Sequence, residues 1–62
     1  MKIKFIGESD FYFKNGKNYE LLNITGGNDS MVHIFVTTEA GTVRHVPYKD
    51  MIKFNNNWKI VK

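Results

Sequence analysis

Apolar and polar residues alternate along this chain in short stretches, and no run reads as a helix. From Lys2 to Ile6, Ile3 and Phe5 face one way while Lys2 and Lys4 face the other, the period-2 signature of a half-buried strand. Gly7 ends it. A loop over residues 8–16 carries three consecutive aromatics, Phe11-Tyr12-Phe13, and closes on Asn15-Gly16, a pair that tolerates positive φ. The second strand covers Lys17 to Ile24. Tyr19 and Leu21 share a face there, then Leu22 and Ile24 break the parity, which predicts a bulge or sharp bend. Thr25 to Ser30 is a loop by composition.

Met31 to Thr38 alternates most cleanly, with Val32, Ile34 and Val36 against His33, Phe35 and Thr37. Glu39-Ala40-Gly41 suits a three-residue hairpin with Gly in the left-handed region. Setting Thr38 opposite Thr42 places Ile34 across from Val46 and Val36 across from Arg44 on one face. The other face then pairs Phe35 with His45 and Thr37 with Val43. The fourth strand runs from Thr42 to Val46, and Pro47 is expected to stop its ladder. Tyr48 to Met51 suits one 3₁₀ turn, Ile52 to Phe54 resumes extended structure, Asn55 to Asn57 turns, and Trp58, Ile60 and Val61 supply a last strand. The implied core is Ile3, Phe5, Leu21, Ile34, Val36 and Val46, meeting inside one closed sheet.

At 62 residues this is one domain, 1–62, which buries only about 60% of the surface its unfolded form exposes. A fold so small has no room for a deep cleft beside its core, and no nucleophile elbow, Gly-rich phosphate loop or paired carboxylates occur. No catalytic residue and no cofactor are therefore expected. The absence of cysteine excludes a disulfide scaffold and thiolate zinc sites. Lys2 and Lys4 alternate with apolar residues, and no continuous apolar stretch follows. That pattern is neither a signal peptide nor a membrane span, so a cytoplasmic location is the expectation.

The formal charge of +3 is unevenly placed: residues 1–48 carry five basic and five acidic groups, whereas residues 49–62 carry four lysines against Asp50 alone. A basic last quarter meets phosphate or an acidic protein, or simply guards a sheet edge against aggregation.

The order strand, long loop, Gly16-Lys-Asn-Tyr-Glu-Leu-Leu-Asn-Ile24 strand, loop, hairpin, Pro-containing turn, short strand resembles an SH3-like barrel. More closely, the chain resembles small uncharacterised SH3-like barrel proteins of Firmicutes and their phages. Met1-Lys-Ile-Lys-Phe-Ile-Gly-Glu-Ser-Asp10, Gly16 to Ile24, the Gly41 hairpin and Pro47 to Phe54 carry the likeness. The resemblance implies an all-β, SH3-like small barrel of five strands, to which Asn55–Lys62 adds a carboxy-terminal strand. The loop at 25–31 is longer than the pattern, and His33 stands where such domains often place a Trp.

Phe11-Tyr12-Phe13 falls where SH3 domains carry a peptide-contacting loop, and Glu8 and Asp10 beside it suit a basic ligand residue. Alternatively, Phe11 and Phe13 close one end of the barrel. Phe35 and His45 face away from the core beside His33, and either form a contact patch or are covered by the carboxy-terminal strand or a loop. Two histidines do not make a zinc site, which takes three or four ligands, and no third stands near, so no metal is expected. Trp58 is a core lid or an exposed anchor. The expected function is a non-enzymatic protein-binding module, of the adaptor or inhibitor kind that phages and mobile elements encode. Its partner surface runs across Tyr12, Phe35, His45, Pro47 and Tyr48. Nucleic-acid contact through Lys2, Lys4, Lys53 and Lys59 is the alternative, and homo-oligomerisation through edge strands is a third.

Overall fold

The structure, a computed structural model, describes residues 1–28 and 30–61. The predicted loop at 25–30 includes Asp29 and the basic last quarter includes Lys62, both outside the described residues. The elements are β1 (Lys2–Phe5), β2 (Asn18–Gly26), β3 (Val32–Thr37), β4 (Val43–Tyr48), α1 (Met51–Asn57) and β5 (Trp58–Val61). The strands form one antiparallel sheet in the order β4-β3-β2-β1-β5. The chain is thus a small all-β domain with one short helix.

The hairpin between β3 and β4 follows from its turn residues. Thr38 N–H donates to the Thr42 carbonyl at 2.7 Å, and Gly41, at φ +84°, donates back to the Thr38 carbonyl at 2.9 Å. That geometry sets the register Ile34↔Val46, Phe35↔His45, Val36↔Arg44 and Thr37↔Val43, as the alternation predicts. The parity break in β2 is a register shift between Leu21 and Asn23, which carries the strand from β1 onto β3. β2 then continues through Thr25 to Gly26, beyond the predicted strand end at Ile24.

Two expectations about the second half are corrected. β4 does not stop at Val46: Pro47 pairs with His33 and Tyr48 with Val32. β4 is an edge strand, where a residue without a backbone N–H costs little. The stretch read as a 3₁₀ turn, an extended segment and an Asn turn is instead α1. Asp50 caps it, its carboxylate accepting from the Lys53 N–H at 2.9 Å. Met51 and Phe54, three residues apart, turn one face inward, and Phe54 is buried. With 52–54 helical, the described residues form a five-stranded sheet, and the last strand is its fifth and not a sixth. It pairs with β1 through Lys2↔Val61, Ile3↔Ile60, Lys4↔Lys59 and Phe5↔Trp58.

Five of the six expected core residues are buried, and Val46 packs half-buried against them. The rest of the buried core, Val32 apart, is aromatic. Trp58 lies 4.9 Å from Phe5, 5.0 Å from Phe13 and 6.0 Å from Tyr19 between ring centroids, each nearer edge-on than stacked. Such pairs add about 0.5–1.5 kcal/mol each beyond area burial. The single Trp is therefore core.

Candidate interaction surface

The loop between β1 and β2 is held by its own polar side chains. The Asp10 carboxylate accepts from the Tyr12 and Phe13 N–H groups at 2.8 and 2.9 Å, and Ser9 Oγ accepts from the Asn15 N–H at 2.8 Å. This turn sends three adjacent aromatics to three fates. Phe13 enters the core, Phe11 is 84% exposed, and Tyr12 lies half-buried beneath Arg44, whose guanidinium carbon sits 3.7 Å from the ring centroid. Of Phe11 and Phe13, expected together at one end of the barrel, only Phe13 joins the core.

The loop is fastened to the hairpin turn by a network that sequence reading missed. Tyr19 donates to Glu39 at 2.6 Å, Lys17 donates to the other carboxylate oxygen at 2.9 Å, and Glu39 N–H donates to the Tyr12 carbonyl at 2.9 Å. The Tyr19 hydroxyl bond, then the Lys17 ammonium, hold the Glu39 carboxyl below the usual carboxylate range. Burial, and next the bond to Glu39, push the Tyr19 phenol up. No local pattern announces partners 20 and 22 residues apart.

Strand alternation divides the five residues of the expected partner surface between two faces. Tyr48 is across from Val32 on the core side of β4, with Arg44 and Val46. Its hydroxyl accepts from Trp58 Nε1 at 2.7 Å, and burial is the main cause that raises its phenol above its ordinary value. Tyr48 and Tyr12 both pack against the core. Phe35, His45 and Pro47 stand on the opposite, outer face, with Val43 and His33. The Phe35 and His45 rings lie 4.9 Å apart and nearly parallel, at 19°. Phe35 is 38% and Val43 58% exposed. The carboxy-terminal strand does not cover this face, because β5 pairs with β1 at the far end of the sheet from β4.

Of the four lysines, Lys2, Lys4 and Lys59 share the outer face of β1 and β5, Lys4 directly across from Lys59. Lys53 is on α1 and does not join them. Lys2 faces Glu20, whose carboxyl is lowered first by its 2.7 Å bond to the Met1 amine. Phe5 and Trp58, next in sequence to Lys4 and Lys59, are both buried and offer bases no platform. An apolar depression of about 320 Å³ is lined by Met1, Leu21, Leu22, Asn23 and Ile24, none of them in the expected partner surface, although Asn23 pairs across from Phe35. Among the described residues no group of three or more His, Cys, Asp or Glu side chains is placed to hold a metal, and no helix is long and apolar enough to cross a membrane. No family model, no curated protein and no solved structure matches this chain.

Proposed function

We propose that this domain is a non-enzymatic protein-binding module on an SH3-like barrel, and that its contact surface is the outer face of the β3–β4 hairpin. The fold reading is supported by a long aromatic loop after β1, a bend in β2, a helical turn before β5, and the return of β5 onto β1. One observation carries the functional reading. Phe35, His45, Pro47 and Val43 form a continuous aromatic and apolar strip that no element among the described residues covers. Contiguous exposed apolar patches mark partner contacts, whereas apolar residues scattered singly do not. Tyr12 and Tyr48 serve this surface from behind, by packing the other side of β4.

The test is capture on immobilised protein from a lysate of the cells that make it, comparing the parent chain with Phe35→Ser and with Lys4→Gln. A partner retained by the parent and by K4Q but lost with F35S supports the reading. Identical capture by all three variants sinks it.

A second reading, nucleic-acid contact, draws on Lys4 and Lys59. Like charges directly across a strand pair destabilise it, and an anion seated between them relieves that cost. The buried Trp58 and the neighbouring Glu20 weigh against it.

A further inference from the structure

His33 and His45 sit diagonally across β3 and β4, and their facing nitrogens, Nδ1 of His33 and Nε2 of His45, are 2.9 Å apart. The ring planes differ by only 19° and the centroids are 5.1 Å apart. That separation is about the bond length plus one ring radius at each end, so the imidazoles meet edge to edge and do not stack. One nitrogen donates a proton and the other offers its lone pair. When the donor ring shifts its proton to its other nitrogen, both facing nitrogens carry lone pairs and both imidazoles stay neutral, two donors that a cation can share at the surface.

We infer that His33 and His45 form a two-imidazole site for a divalent transition-metal ion, Cu²⁺ or Ni²⁺ by its geometry. At metal–nitrogen distances of about 2.05 Å, two nitrogens stand about 2.9 Å apart when they subtend about 90° at the ion, and about 3.3 Å apart at the tetrahedral angle. The observed 2.9 Å matches adjacent positions of a square-planar or octahedral ion, the arrangement that Cu²⁺ and Ni²⁺ prefer with imidazole. On binding each ring turns by about 45°, so that lone pairs now aimed at each other converge on one point. His45 is exposed and has room to do so. Phe35 lies flat beside the His45 ring at 4.9 Å and limits its alternatives. The hairpin register, set by the Gly41 turn, holds the two Cα positions. Water fills the remaining coordination positions, so the ion is exchangeable and the fold does not depend on it.

The experiment titrates Cu²⁺ into the full chain, into His33→Gln, and into His45→Gln. Calorimetry gives affinity and stoichiometry, and circular dichroism confirms that each variant is folded. One ion per chain is expected, with affinity falling at least about tenfold in each variant, because either ring alone forfeits the effective concentration the second supplies. In a parallel NMR titration of the parent chain, trace Cu²⁺ should broaden the ring protons of both histidines before any other resonance. Parent-like affinity in either variant overturns the inference, and so does broadening that begins away from the hairpin.

Discussion

The indole N–H of Trp58 donates to the Tyr48 hydroxyl at 2.7 Å, from a residue only 2% exposed. A buried donor of this kind is costly to orphan, whereas the bond itself contributes only about 1 kcal/mol net. Two substitutions separate these effects. Tyr48→Phe keeps the ring in the core but strands the indole N–H, and should cost about 1–3 kcal/mol. Trp58→Phe removes the donor together with part of the ring that touches Phe5, Phe13 and Tyr19, and should cost about 2–4 kcal/mol through the void it leaves. Urea unfolding followed by circular dichroism measures both, since the fluorophore is lost in one. If either variant unfolds within about 0.5 kcal/mol of the parent, the bond does not hold β4 to the core as described.

At the scale of elements, α1 is the least self-sufficient. Seven residues containing three Asn are too short and too weak in propensity to form a helix alone. Two things hold it: the Asp50 cap and the burial of Phe54 against Tyr48, 6.0 Å away between ring centroids. Asp50→Ala should therefore destabilise the domain by about 1 kcal/mol and shift the Lys53 amide resonance, while the hairpin resonances stay in place. A parent-like midpoint in urea with an unmoved Lys53 amide speaks against the cap. The same weakness explains why the helix was illegible in the sequence. Asp50 followed by apolar Met51 and Phe54 was the available signal, but it spans a single turn and competes with an equally plausible Asn-rich loop. β3 and β4 were readable because a period of two and a turn that needs Gly at φ +84° agree on one register. That Phe35 and His45 stand together was legible for the same reason. The places of Pro47 and Tyr48 were not, because treating Pro47 as a stop hid the alternation that turns Pro47 outward and Tyr48 inward.

Over the whole molecule, the sheet presents different chemistry at its two ends. The β4 end carries the aromatic and apolar strip, and the β5 end carries Lys2, Lys4 and Lys59 around Glu20. Three lysines on one face engage at most about three phosphates, and each phosphate neutralised contributes about −0.7 to −0.9 to the slope of log affinity against log salt. The basic end alone then sustains a slope of about −2 to −3, and without a stacking aromatic its affinity belongs in the weak, non-specific range of about 10⁻⁴ M. Fluorescence anisotropy with labelled single- and double-stranded DNA and RNA, at low and at moderate salt, reads both quantities. Weak binding that disappears at moderate salt, and that Lys4→Gln or Lys59→Gln reduces further, fits a basic face that tolerates anions while the hairpin end makes the specific contact. Micromolar binding that survives moderate salt needs more contacts than these lysines supply. It would move the functional surface from the hairpin to the β1–β5 face and reverse the proposed order of the two readings.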